Sequence, residues 1–157
     1  MSEVVKSVLV PYASDKMFGL VADVASYPLF LPWCGGSTVS PQPDGSVLAQ
    51  VQIAFKGLRQ SFTTRNQHEP GRAIHMRLHE GPFQALEGHW RFTPLDQTSC
   101  KVAFELEYHF SSKVLEKLIG PVFEQITKSF VDAFVCRAEA LFEPPPNLPG
   151  LPRQPSP

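Results

Sequence analysis

The residues able to do chemistry in this 157-residue chain are scattered through it rather than gathered into a motif. His75 and His79 project from one strand face. Four residues of strand span roughly 13 Å at about 3.3 Å each, too far for the two rings to share an ion. His68, His89 and His109 fall at outward positions by the same alternation. Cys34, Cys100 and Cys136 are odd in number and form no C-x-x-C pair, which reads as free thiols in a reducing compartment. No nucleophile lies beside a base, no carboxylate pair points inward, and no glycine-rich phosphate loop is present. No catalytic residue and no metal ligand is therefore assigned. What remains is a set of donors suited to one or two carbonyl oxygens: Tyr27, Tyr108, Thr64 and the Trp90 indole.

The elements that must position them follow from periodicity. Residues 3–11 alternate weakly and read as a strand. Ser14 or Asp15 can cap a short helix whose apolar residues Met17, Leu20, Val21 and Val24 recur at helical spacing. The stretch from Ser26 to Trp33 carries Pro28 and Pro32 and cannot continue that helix. From Gly35 to Phe110 the period is two. Val47, Ala49, Val51, Ile53 and Phe55 share one strand face. So do Phe62 and Thr64; Ile74, Met76 and Leu78; Leu86, Gly88, Trp90 and Phe92; and Val102, Phe104, Leu106, Tyr108 and Phe110. Turn residues separate these runs, notably Lys56-Gly57, Pro70-Gly71 and Gly81-Pro82.

Short connections make the strands antiparallel neighbours in a meander with one apolar face. The period returns to 3.6 from Ser112 to Phe142. Leu115, Leu118, Ile119, Val122, Phe123, Ile126, Phe130, Phe134 and Leu141 form its stripe, and Gly120-Pro121 is expected to bend it. The fold class is thus α+β, a curved antiparallel sheet wrapped around a long C-terminal helix. Such a helix leaves a cavity where the sheet bows away from it. The domain spans residues 1–143. The Pro-rich segment 144–157 reads as a disordered tail.

Composition narrows the function classes. Twelve Phe against 3 Tyr and 2 Trp favour an apolar interior over a hydrogen-bonding site. A net charge of −1 supplies no global field for DNA or an anionic membrane, leaving peripheral membrane contact at most. No apolar run reaches the roughly 18–20 residues needed to span a bilayer, and the N-terminus shows no secretory h-region. A cytoplasmic protein is expected.

The segment Ser26-Tyr27-Pro28-Leu29-Phe30-Leu31-Pro32-Trp33-Cys34 resembles the Tyr-Pro-x-Phe-Leu-Pro signature of the bacterial RatA (ribosome-association toxin A) proteins and the coenzyme Q-binding START-like proteins. The resemblance continues through Phe62-Thr63-Thr64-Arg65-Asn66, Gly81-Pro82-Phe83, Trp90-x-Phe92-x-Pro94 and Gly120-Pro121-Val122-Phe123. It spans roughly residues 4 to 142; the Pro-rich tail departs from the family's ending. It implies a helix-grip (START-like, Bet v-type) fold in the polyketide cyclase/dehydrase and lipid transport superfamily. Two functions come with it. One is binding of ubiquinone or a similar polyprenyl quinone in support of respiratory electron transport, with no cofactor required. The other is a toxin-like association with the large ribosomal subunit that blocks subunit joining. A cyclase- or dehydratase-like enzyme is a third reading.

The expected ligand contacts are Tyr27, Phe30, Leu31 and Trp33 from the proline-broken loop, with Phe83 at the same rim. Phe62, Met76, Leu78, Trp90, Phe92 and Phe104 follow from the sheet, and Phe123, Ile126 and Phe130 from the helix. The loop would act as a gate at the cavity mouth; packed inward, it would be a core plug, and each of the others serves equally as core. For the ribosomal reading, parity puts Arg59, Arg65, Arg77, Arg91 and Lys101 on the outer face as a candidate phosphate-binding patch. Glu87, Glu105 and Glu107 share that face and dilute it, as on any solvated surface.

Overall fold

A computed structural model describes residues 2–142, so the segment 144–157 and the domain's outer limits lie outside the described residues. Strand β1 (Ser2–Val10) leads into helix α1 (Ser14–Ala22) and a 3-10 helix (Val24–Leu29). Six strands follow: β2 (Cys34–Pro41), β3 (Val47–Phe55), β4 (Leu58–Glu69), β5 (Ala73–Glu80), β6 (Phe83–Pro94) and β7 (Cys100–Phe110). Helix α2 (Lys113–Phe142) completes the fold. The seven strands form one sheet in the order β1-β7-β6-β5-β4-β3-β2, with every described pairing antiparallel.

Local chemistry explains the joints. Phe55 pairs with Leu58, so Lys56 and Gly57 are a two-residue hairpin turn with φ of 53° and 82°. Positive φ at both central residues matches the right-handed twist of the flanking strands. Gly88 serves a different purpose. A Cβ there would stand 2.8 Å from the Glu105 carbonyl oxygen, so only glycine lets β6 lie this close to β7. Helix α1 begins after Ala13, whose extended backbone (φ −63°, ψ 148°) makes no side-chain cap. The expected Ser14 or Asp15 cap is thus displaced into the first turn.

Inward strand residues meet the buried face of α2, formed by Ile119, Phe123, Ile126, Thr127, Val131, Phe134 and Ala138. Leu115, Val122 and Phe130 of the expected stripe are partly buried at its edges, and two members are exposed: Leu118 at 64% and Leu141 at 50%. Leu118 is one residue, about 100° of rotation, from Ile119 at the centre of the contact. Gly120-Pro121 lies within α2 and does not end it.

Rings dominate the interface between the layers. Trp90 packs against Phe104 at 4.5 Å between centroids, Phe134 at 5.4 Å and Phe130 at 5.7 Å. Near the start of α2, Phe123 meets Tyr108 at 4.7 Å and Phe83 at 5.1 Å. His68 departs from the outward placement expected of it. It shares the inner side of β4 with Phe62 and Thr64, half-buried edge-on to Phe18 at 5.6 Å, and burial lowers its pKa.

A candidate ligand cavity

Between the two ring clusters the layers do not meet fully. A cavity of about 70 Å³ remains there. A water needs roughly 10–15 Å³ of such space, and a cavity near 150 Å³ takes benzene. The room present therefore suits a few waters or a small apolar group. It arises where the inward residues are short: Ala49 on β3 stands opposite Thr64 on β4, with Val51 and Ile53 further along the same wall.

Eight of the residues expected at a ligand site line this cavity: Tyr27, Trp33, Phe62, Met76, Phe104, Phe123, Ile126 and Phe130. The other six do not. Trp90 and Phe92, each 1% exposed, form a second layer behind the wall, Phe92 packing edge-on to Phe18 of α1. Phe83 is no rim residue: it stacks on Phe110 at 4.9 Å and closes one end of the core. Leu78 lies along β5 beyond Met76, near the Gly81 turn. Leu31 is a core plug, 1% exposed, and Phe30 packs against Phe134 at 5.4 Å with the Arg137 guanidinium over its ring.

The loop that carries Tyr27 and Trp33 is firmly anchored. The Tyr27 hydroxyl donates to the Val21 carbonyl at 2.6 Å, and the Ser37 hydroxyl donates to the Val24 carbonyl at 2.7 Å. Backbone N–H groups of Leu31 and Ala54 donate to the carbonyls of Tyr27 and Trp33. Burial, with the Asp23 carboxylate and Cys34 adding to it, drives the Tyr27 pKa far up, so the hydroxyl stays protonated. Helix α2 is attached differently. Side-chain packing, the Lys6–Asp132 ion pair at 2.9 Å and a side-chain hydrogen bond between Tyr108 and Thr127 hold it. No backbone hydrogen bond among the described residues joins its body to a strand.

Periodicity overlooked two polar lining residues, Asn66 and Thr127, both buried. Asn66 follows Thr64 by two on β4, so alternation alone could have found it. Thr127 needed the helix rotation. The Thr64 hydroxyl donates to the Asn66 carbonyl oxygen at 2.7 Å, and Thr127 donates to the Glu124 carbonyl at 3.1 Å within its own helix. The other wall residues are apolar apart from Tyr27 and the Trp33 indole.

Outside, the five basic residues do not form one patch. Arg65 and Arg77 are cross-strand partners. Arg65 lies 3.6 Å from Asp44 and donates to the Ser46 hydroxyl, and Arg77 lies 3.4 Å from Glu87. Arg91 and Lys101 sit further along the sheet, and Arg59 stands by the β3–β4 turn, opposite Ala54. Between the two groups His75 and His89 stack at 5.9 Å, bonded to Glu87 and Glu105 respectively. Cross-strand register brings these two rings together, which the spacing along one strand concealed. Carboxylates offset Arg65 and Arg77, and Arg59, Arg91 and Lys101 stand apart from them, so the expected continuous basic patch is broken up. Cys34 and Cys100 are buried, and burial raises both thiol pKa values; Cys136 is exposed. Among the described residues no His, Cys, Asp and Glu cluster could hold a metal, and no helix is long and apolar enough to cross a membrane.

Residues 10–135 match the family described as polyketide cyclase / dehydrase and lipid transport. The ribosome association toxin RatA of Vibrio cholerae is 45% identical over 142 residues, covering 90% of this chain and 99% of the relative. The mitochondrial coenzyme Q-binding protein COQ10 homolog B of Xenopus laevis is 26% identical, covering 87% of this chain and 58% of that protein. Among solved structures, the Zhui aromatase/cyclase of a Streptomyces superposes with a TM-score of 0.76 at 19% identity, covering 88% of this chain and 93% of its own. Its likeness concerns the fold. The seven-stranded grip on a long helix, the apolar cavity and these relatives agree: the chain belongs to the polyketide cyclase/dehydrase and lipid transport family, in its START-like branch with RatA and the COQ10-type proteins.

Proposed function

We propose that this protein is a binding protein that holds an apolar, quinone-like lipid in its cavity and serves respiratory electron transport in the cytoplasm, at the membrane surface. The observation that carries this reading is the cavity wall: mostly apolar, with a polar pair, Thr64 and Asn66, on β4, Thr127 on the helix, and Tyr27 and Trp33 from the loop. Apolar burial at roughly 25 cal/mol per Å² would drive uptake, while a ligand with many polar groups would leave them unpaired. Proton transfer is poorly served, because the wall's one titratable side chain, Tyr27, is bound to Val21 and held protonated. That favours holding over cyclisation or dehydration.

A prenyl quinone exceeds about 70 Å³ many times over, so a wall must move to admit it. Helix α2 is the wall that moves, since the loop opposite is anchored by backbone hydrogen bonds and α2 is not. Organic extraction of protein purified from its own cells, followed by mass spectrometry, is expected to release a quinone. Protein that yields none and also ignores an added short-chain ubiquinone sinks the proposal.

The names of the 45%-identical relatives favour a second reading, association with the ribosome. It requires the exterior, so both roles can reside in one chain. Co-sedimentation with large subunits should weaken steeply as salt rises if phosphates are contacted. The double variant Arg65→Glu with Arg77→Glu should reduce it several-fold; unchanged sedimentation excludes this face of the sheet.

A further inference from the structure

The hydroxyl groups on the cavity wall can each be followed to a partner. Tyr27 and Thr64 spend their hydroxyl protons on Val21 and Asn66, and the Thr127 hydroxyl is held between the Glu124 carbonyl of its own helix and the Tyr108 side chain on β7. The Asn66 carbonyl oxygen is occupied by Thr64. Two donors on lining residues, the Trp33 indole N–H and the Asn66 amide nitrogen, have no hydrogen-bond partner among the described residues; Asn66 is the more deeply buried, 4% exposed against 7%. Because Thr64 occupies the oxygen, the amide's N–H groups are turned away from Thr64, on a side chain that lines the cavity. Val47 and Met76 flank it on the neighbouring strands, so no strand residue competes for those protons.

We infer that Asn66 is the residue that selects the ligand's head group, and that the ligand carries a carbonyl or comparable acceptor oxygen at its β4 end. Thr64 is the positioning residue that fixes the amide's orientation. A donor shut against an apolar ligand without an acceptor opposite it loses a hydrogen bond that water could have supplied. A ligand that supplies an acceptor avoids that loss, and a pure hydrocarbon of equal shape does not. This inference rests on the cavity being a ligand site, and it adds the chemistry of the ligand's head and its direction of insertion.

The test compares two probes of one carbon skeleton, duroquinone and durene, which differ in two carbonyl oxygens. Both require the same widening of the cavity, so its cost cancels from their affinity ratio. Binding is followed by amide and side-chain NMR titration of the full chain, including the Asn66 side-chain NH₂ signals. The intact protein is expected to prefer duroquinone about tenfold, with a downfield shift of the Asn66 signals. Asn66→Leu should abolish the preference while still binding durene, and Thr64→Val, a milder change, should reduce it by about half. An unchanged ratio in Asn66→Leu, or in Thr64→Val should the first variant not fold, overturns the assignment. Equal affinity of the intact protein for both probes means water alone satisfies the amide, and it also overturns the assignment. If neither probe binds, the cavity reading itself falls and takes this inference with it.

Discussion

Trp90→Ala should lower the free energy of unfolding by about 3–5 kcal/mol, the range for deleting a fully buried large ring. Trp90 is 1% exposed and touches Phe92, Phe104, Phe130 and Phe134, so its ring joins β6, β7 and α2 at a single point. The indole lies behind the cavity wall, so its removal would enlarge the void between sheet and helix rather than collapse it. Urea denaturation followed by far-UV circular dichroism measures the loss. A change under 1 kcal/mol would mean that the ring cluster is not the junction described. Any quinone affinity left in a folded Trp90→Ala protein should be retained or increased, because the site loses no contact of its own.

Ala49→Leu should have the opposite pattern, with ligand affinity lost and the fold kept. Ala49 is 3% exposed on β3, opposite Thr64, and its methyl group faces the cavity. Leucine adds three carbon atoms to a space of about 70 Å³. Filling apolar space of suitable size costs little, whereas overpacking a filled core costs about 1–3 kcal/mol. Thermal unfolding of the variant alone should therefore stay close to that of the parent. A short-chain ubiquinone should raise the parent's unfolding temperature through linkage and leave the variant's unchanged, with affinity reduced at least about tenfold by calorimetry. Equal binding by both proteins would place the ligand elsewhere on the molecule.

Much of this architecture was legible from residue order because sheet and helix periods are properties of single elements. Alternation at Val47, Ala49, Val51 and Ile53 could come only from a strand with one buried face. Lys56-Gly57 could be only a tight turn, so the meander followed. The family signature around Tyr27-Pro28 added the cavity-forming fold, and the matching family and relatives agree with it.

Periodicity reports direction but not depth. It pointed Trp90, Phe92 and Phe83 inward correctly, yet their size makes them fill space instead of bordering it. The short residues Ala49 and Thr64 create the cavity. A helical wheel likewise grouped Leu118 with Ile119, because rotation about the axis is decided only when α2 meets the sheet.

Residue order thus determined which elements form, which face of each strand is apolar, and the absence of any sequence-local catalytic or metal motif. The tertiary structure alone decided what those faces enclose: a cavity of about 70 Å³, the orientation of Asn66, the pairing of His75 with His89, and the neutralisation of Arg65 and Arg77. The reason is physical. A cavity, a buried amide's unpaired donor and a cross-strand ion pair each depend on distances between residues far apart in the chain. Those distances exist only once the sheet has curved and the helix has settled across it.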